Sequence, residues 1–459
     1  MSTQKTPPIR SPLVLALSVF VVHTIVRAAI IFGPGMGGPS SADEARFHLP
    51  VIETFTDFWP TLDLTDYLAA ATPGHHIAMA GVDRTFGPST EVLRLLSGAP
   101  VSLMLALLAW WCAKRVGTLP ALALLLPLAL SSHTSVFATV VLPESPAWLF
   151  VSVLLMLALT RGFPVWACAV GGTVLLLSAG VRQMTLWCAA PLWTAAWLAG
   201  APLADHASRV MPARLLPIDA FKPRLTRTTI ALACTLPAFA LVGWFYSLWG
   251  GLVPPTFQTA EAASAVAGGV VNQGLSPSAP AFMLCLTGIA GFFFLPTLLK
   301  PLRERTKAAA RWAALGAAVA FVVSLAPATS YSVEDGRWGG FWALARELPV
   351  VADRSLFIAA SGAFGGVVIA LILLVPTPAR VRWVLLAAVV ASMAAHSAGA
   401  QVYQRYMEPL ILIALPLAIA SCYEERDDAP PAWTLLGPVA LGLLSGALTA
   451  TRIGAPVPL

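Results

Sequence analysis

Charged residues are scarce in this chain. Only 11% of its 459 residues are Asp, Glu, Lys or Arg, whereas 58% are hydrophobic. Soluble domains carry about 25% charged residues. So little charge cannot cover the surface of a soluble protein of this length, and lipid must replace water over much of it. The composition therefore argues against a soluble domain and predicts an integral membrane protein.

Cysteine motifs and basic clusters are also missing. The six cysteines form no CxxC motif and have no spacing to histidine that is typical of a metal site, so we interpret them as small buried side chains. Lys and Arg (28) only slightly outnumber Asp and Glu (22) and lie in short turns between apolar runs. This distribution argues against nucleic acid as a partner and is better explained by membrane topology.

Long apolar runs dominate what is present. Runs of about 17 to 25 apolar residues can cross the hydrocarbon core as a helix. Thirteen candidates lie at about 12–32, 92–113, 118–141, 145–160, 164–181, 183–200, 228–249, 279–299, 312–328, 355–376, 381–400, 406–422 and 433–451. The prediction is an all-α bundle of about 11–13 spans, and residues 1–459 form a single integral membrane domain.

The distribution of Lys and Arg predicts the orientation of this bundle. With the N-terminus in the cytoplasm, all five lysines fall in cytoplasmic segments, and the opposite loop 250–278 contains no Lys or Arg. We therefore expect a multi-pass protein with a cytoplasmic N-terminus, and the usage of Ala, Arg and Pro suggests a bacterial plasma membrane. Residues 33–91 then form the first extracytoplasmic loop.

The first extracytoplasmic loop holds a large share of the acids of the chain. Phe47, Val51, Phe55 and Phe58 recur at nearly helical spacing, which predicts short amphipathic helices on the membrane surface, with a bend at Pro50.

The adjacent acids Asp43 and Glu44 allow three interpretations. They can stabilise a helix N-terminus. A partly desolvated carboxylate at the membrane boundary can instead accept a proton from a hydroxyl group. Together with His48, the pair can also hold a divalent cation, although a metal is not required and His75 and His76 are not expected to bind one.

Charged side chains at the ends of spans are costly in lipid and are therefore functional candidates. Arg182-Gln183 lies between two apolar runs, Arg405 precedes another, and Arg337 lies in the loop 329–354. Arginine binds phosphate oxygens through two parallel hydrogen bonds. Alternatively, each arginine pairs with a nearby acid, such as Arg405 with Glu408, or reaches the lipid headgroups.

The span pattern and the acidic first outer loop resemble the GT-C superfamily of membrane glycosyltransferases. Four motifs resemble the terminal α-1,2-glucosyltransferases of dolichol-linked oligosaccharide synthesis. They are Asp43-Glu44-x-x-Phe47-His48-x-Pro50, Thr72-Pro73-Gly74, Arg182-Gln183 and Tyr403-Gln404-Arg405-Tyr406.

The resemblance implies a hexosyltransferase with a polyprenyl-phosphate-linked sugar donor. The acceptor would be a hydroxyl group of a lipid-linked glycan or another molecule, the anomeric configuration would invert, and no cofactor would be needed. Asp43 or Glu44 would be the catalytic base. The expected substrate-binding residues are His48, Arg182, Gln183, Arg337, Arg405 and Tyr406.

Two other classes of function are compatible with a polytopic protein. A transporter or lipid flippase tends to show internal repeats and acids at mid-membrane, whereas no repeat is evident here and the acids concentrate in an outer loop. A membrane subunit without chemistry has no need for acids and arginines on one face.

Overall fold

The computed structural model describes residues 11–199, 221–266, 271–424 and 428–456, and this part of the chain is almost entirely α-helical. Its helices run in the order α1 Pro12–Ile31, α2 Pro39–Asp43, α3 Leu49–Asp57, α4 Gly74–Phe86, α5 Thr90–Val116, α6 Thr118–Leu130, α7 Ser132–Thr139, α8 Glu144–Ala158, α9 Val165–Val181, α10 Ala189–Ala199, α11 Phe221–Trp249, α12 Ala260–Val266, α13 Ala279–Leu299, α14 Thr306–Leu325, α15 Gly340–Arg346, α16 Leu356–Leu374, α17 Ala379–Ser397, α18 Gln404–Glu424 and α19 Leu436–Ala450. A small antiparallel pair, β1 Val350–Val351 with β2 Arg354–Ser355, precedes α16.

Eight helical stretches within the described ranges are long and apolar enough to cross a membrane, or nine if α6 and α7 together form one bent span. The prediction of an all-α, multi-pass membrane protein is therefore confirmed. Helix α18 is the most enclosed of these stretches, with 89% of an apolar 18-residue segment buried inside the protein, so it lies at the centre of the bundle.

The number of long spans is smaller than the thirteen candidates in the sequence. The run 118–141 bends by 70° between α6 and α7, and α8 and α9 have only 15 and 17 residues. The run 183–200 divides into a 3₁₀ turn, Gln183–Cys188, and the 11-residue α10. The run 279–299 and most of the run 312–328 fall within one helical stretch, Ala279–Leu325. Apolar composition alone does not show where such runs bend or break.

Glycine allows the close approach of α13 and α16. A Cβ atom on Gly288 would lie 2.0 Å from the carbonyl oxygen of Ser361, and one on Gly365 would lie 2.0 Å from that of Leu284. Small residues at helix contacts let the two backbones touch, which favours association in lipid.

The first long loop is helical near its start and folds onto the bundle. A π-helical turn, Glu44–His48, joins α2 to α3, and Pro50 lies in the first turn of α3. Val51, Ile52 and Phe55 are buried, as the amphipathic pattern predicts, whereas Phe58 is exposed. The helix therefore lays one apolar face on the protein.

Glu44 fixes this loop to the bundle. Its carboxylate accepts hydrogen bonds from Arg94 of α5, at 3.0 and 3.2 Å from Nε and 2.6 Å from Nη2, and from the backbone N–H of Val141 at 2.7 Å. The Glu44 side chain is only 1% exposed, so its charge depends on these partners.

Replacement of this buried carboxylate should destabilise the protein. Because Gln at position 44 cannot neutralise Arg94, we expect Glu44→Gln to lose about 2 kcal/mol of unfolding free energy. The measurement is denaturant or thermal unfolding in detergent. Glu53→Gln, which changes an exposed acid nearby, is the matched control, and equal stability of the two variants would contradict this role.

Candidate functional site

A polar cavity of about 360 Å³ lies where the first loop meets the ends of several helices. Its walls come from α2 and the turn after it, from the starts of α8 and α18, from the end of α9, and from the segment after α19. Charged and polar side chains in its lining are Ser40, Asp43, Arg46, His48, His133, Glu144, Arg182, Asn272, Tyr403, Gln404, Arg405, Tyr406 and Arg452.

An ion pair joins the first loop to α18 at this cavity. Arg405 Nη1 donates a hydrogen bond to Asp43 Oδ2 at 2.6 Å and another to Ser40 Oγ at 3.2 Å. Its Nη2 donates to Tyr406 Oη at 3.1 Å. The Asp43 side chain is 28% exposed and that of Arg405 is 17% exposed. The carboxylate is thus held by the protein while it can still be reached from the cavity.

A second ion pair lies beside the first. Arg182 Nη1 is 2.6 Å from Glu144 Oε1, and Arg405 Nε approaches the same oxygen at 4.0 Å. The Arg182 guanidinium also lies 4.2 Å from the centre of the Tyr406 ring, a distance that favours cation–π attraction. Two acids and two arginines from four separate segments therefore form one charge network.

This network contains buried polar atoms that are not satisfied. Among the described residues, Glu144 Oε2 and Arg405 Nε have no hydrogen-bond partner. Unsatisfied buried polar atoms are rare in folded proteins. Both residues line the cavity, so these atoms are candidates for contact with a bound polar molecule.

Positive charge exceeds negative charge around the cavity. Its lining contains four arginines but only two carboxylates, Asp43 and Glu144. The two additional arginines, Arg46 and Arg452, form no ion pair within the part of the chain that the structure describes. This excess of positive charge suits an anionic group such as phosphate.

Three histidine rings form a cluster beside the cavity: His48, at the end of the π-helical turn, and His75 and His76, in the first turn of α4. The His48 and His76 rings stack, with Nδ1 of His48 2.9 Å from Nε2 of His76, so one neutral ring donates to the other. Burial lowers the pKa of His48 and of His76. Burial, together with the nearby His48, lowers the pKa of His75 to about 3. At neutral pH these rings are uncharged hydrogen-bonding groups.

Five of the eight site residues predicted from the sequence meet at this cavity. They are Asp43, His48, Arg182, Arg405 and Tyr406. The alternative that each arginine pairs with an acid is confirmed for Arg182, Arg337 and Arg405. The partner of Arg405 is Asp43, however, and Glu408 instead accepts hydrogen bonds from Ser131 and Gln404 and pairs with His133.

The other three predicted residues have different surroundings. Glu44 is bound to Arg94 and Val141, as described above. Gln183 accepts a hydrogen bond from the Thr72 N–H and donates one to the carbonyl of Ala70. It therefore holds Ala70, which lines the cavity, without lining the cavity itself. Arg337 binds the Ser330 carbonyl and Asp335 in its own loop. None of the three is in the cavity lining.

Arg46 and Arg452 are not among the site residues predicted from the sequence. Arg452 reaches the cavity because the chain after α19 returns to the first loop, where the Arg452 carbonyl accepts from the Gly37 N–H at 2.9 Å. Glu144 opens α8, and its partners Arg182 and Arg405 come from segments distant in sequence. No local pattern identifies such a long-range contact.

The donor chemistry of the site does not point to a metal ion. Within the ranges described above, no group of three or more His, Cys, Asp and Glu side chains is arranged to hold one. The carboxylates instead face guanidinium groups, which satisfy them electrostatically.

Comparison of the chain with protein-family models, with curated proteins and with solved structures finds no match.

The buried histidines predict a stability that falls in acid. An unfolded histidine takes up a proton below a pH of about 6.5, whereas folded His75 does so only near a pH of about 3. Lowering the pH from 7.5 to 5 therefore favours the unfolded chain. We expect the apparent Tm in detergent to fall over this range, and His75→Gln to reduce the fall. Asp57→Asn, an exposed control, should leave the profile unchanged. An identical pH profile in His75→Gln would contradict the assignment.

Proposed function

We propose that the protein is a membrane glycosyltransferase that moves a hexose from a polyprenyl-phosphate donor to an acceptor hydroxyl group with inversion. The supporting observation is the convergence of Asp43, Glu144, Arg182 and Arg405 at one cavity with an excess of positive charge. The cavity would face the extracytoplasmic side of the membrane, as the distribution of Lys and Arg predicts.

The arginines fit the leaving group of this reaction. When the bond between the anomeric carbon and the phosphate oxygen breaks, its electron pair goes to the phosphate. Arg452 and Arg46 have no carboxylate partner among the described residues, so they are the groups we assign to the donor phosphate. Fixed positive charges aimed at the developing negative charge stabilise the transition state. The apolar chain of the donor can stay in the lipid while its head occupies the cavity.

Asp43 is the group that we assign as general base. Its Oδ2 is held by Arg405, and its partial exposure leaves the carboxylate accessible to an acceptor hydroxyl. The acceptor oxygen would bond to the anomeric carbon as its proton passes to Asp43 and polyprenyl phosphate departs from the opposite face. Attack from the side opposite the leaving group inverts the configuration.

The other acids are less suited to this step. Glu44 is 1% exposed and engages Arg94 and Val141, so no acceptor can reach it without breaking those bonds. Glu144 is held between Arg182 and Arg405, which favours a role in positioning both guanidinium groups.

Asp43→Asn tests the assignment of the base. Asn keeps an oxygen that can accept from Arg405 but cannot take up the proton, so we expect the transfer rate to fall at least about a hundredfold. The assay follows labelled hexose from polyprenyl phosphate to acceptor in vesicles, together with donor and acceptor binding.

Asp57→Asn, an exposed acid in the same loop, is the matched control and should transfer normally. If Asp43→Asn retains near-normal transfer, the base must be sought elsewhere. If donor binding is lost together with transfer, the residue would instead act in assembling the cavity.

Arg452→Gln tests the phosphate site. Loss of a charge-assisted contact to the phosphate should weaken donor binding by about tenfold or more while acceptor binding changes little. Binding of a labelled polyprenyl-phosphate sugar is the measurement, and Arg346→Gln, which changes an exposed arginine outside the cavity, is the control. Equal donor affinity in Arg452→Gln would place the phosphate elsewhere.

A further inference from the structure

A second cavity, separate from the polar one, lies between α1, α5, α6, α7 and α19. It has a volume of about 490 Å³. Most of its lining is aliphatic, including Val22, Val26, Leu122 and Ala138, and the lining residues that can carry a charge are Arg27 and His23. Aliphatic walls of this extent suit a hydrocarbon chain.

A buried arginine lies in this apolar wall. Arg27 of α1 is only 4% exposed. Its Nη1 donates a long hydrogen bond of 3.4 Å to the Ala138 carbonyl. Its Nε is buried without a hydrogen-bond partner in the described part of the chain, and no acid in that part lies within ion-pair distance of the guanidinium. An uncompensated charge inside a membrane helix is costly and marks a functional site.

The side chains around Arg27 leave its charge uncompensated. His23, one turn earlier on α1, binds Ser102 Oγ through Nδ1 at 2.8 Å. The Thr139 hydroxyl donates to the Ser135 carbonyl, within α7. Gly98 packs so closely that an added Cβ would lie 2.6 Å from Arg27 Nη1, so the guanidinium has little freedom to move away.

The cavity is accessible from the side of α1 that faces lipid. Val22 and Val26 line it and are 59% and 52% exposed, and Leu122 of α6 is also exposed. Only 22% of an apolar 18-residue segment of α1 is buried inside the protein. Arg27 lies near the end of α1 that leads into the first loop, so a headgroup bound there would be near the membrane boundary.

We infer that this cavity binds a lipid with an anionic phosphate headgroup, whose phosphate pairs with Arg27 and whose chain fills the aliphatic space. The site is distinct from the polar cavity, because α7 lies between the two. His133 faces the polar cavity, whereas Ser135 and Ala138 face the apolar one. A membrane phospholipid and a polyprenyl phosphate share this chemistry, and the experiment distinguishes them.

Native mass spectrometry of the detergent-purified full chain measures this binding directly. The probes are two matched pairs, phosphatidylglycerol with diacylglycerol and polyprenyl phosphate with polyprenol. We expect at least one phosphorylated lipid to be retained about tenfold more strongly than its uncharged counterpart. The pair with the larger difference identifies the source of the lipid. Equal retention within both pairs would overturn the inference.

Two pairs of variants locate the binding. In an Arg452→Gln background, which removes the phosphate contact assigned to the polar cavity, Arg27→Gln should abolish the preference for the phosphorylated lipid, whereas Arg84→Gln, a cation outside both cavities, should keep it. Val22→Trp should block the cavity, whereas Val14→Trp, at another lipid-exposed position of α1, should not. Because Val22 faces lipid, its replacement can be tested even if Arg27→Gln does not fold.

Arg452→Gln separates this inference from the proposed function. Retention of the phosphorylated lipid in Arg452→Gln, together with its loss when Arg27→Gln or Val22→Trp is added to that variant, supports the apolar site, whatever the result of the transfer assay. Loss of the preference in Arg452→Gln alone would place the lipid in the polar cavity and overturn the inference. Normal retention after Val22→Trp is added to Arg452→Gln would overturn it as well.

Discussion

The Asp43–Arg405 ion pair and the neighbouring Glu144–Arg182 pair are the interactions on which the arrangement of the polar cavity depends. Each charge is largely removed from water and needs a partner, since removing one member of a buried pair is strongly destabilising. The four residues come from α2, α8, the end of α9 and α18. Satisfying their charges therefore brings together segments that are distant in sequence, and the cavity lies where these segments meet.

The helices around this network determine its chemical character. Helix α18 is the most enclosed of the spans and carries Arg405 and Tyr406 at its start, so these side chains are mounted on a rigid element. The neutral rings of His48 and His76 are hydrogen-bonded to each other next to the acidic turn and add no positive charge. The excess of arginine over carboxylate then comes from Arg46 and Arg452, which lie on the remaining walls. This division leaves some positive charge for an anionic ligand while Asp43 remains paired with Arg405.

The sequence predicted the class of fold better than its details. Low charge and long apolar runs are enough for an all-α membrane bundle, but bends and short helices between residues 118 and 200 reduced the number of long spans. The cost of charge at the ends of spans indicates Arg182 and Arg405, and the adjacent acids of the first outer loop indicate Asp43. Helical geometry predicts that Asp43 and Glu44 point in different directions. Only packing shows that Glu44 is the one that points toward Arg94. Arg452 has no sequence signal at all, because its position depends on the chain after α19 returning to the first loop.

Transfer of hexose by the purified protein in detergent micelles tests the central claim most directly. Micelles provide no second compartment, so a flippase or transporter has no measurable activity there. With a labelled polyprenyl-phosphate hexose and a lipid-linked glycan acceptor, we predict that the label moves to the acceptor with the opposite anomeric configuration. An intact donor after prolonged incubation with a range of hexoses and acceptors, while the donor still binds in the polar cavity, would contradict glycosyl transfer and favour a transporter.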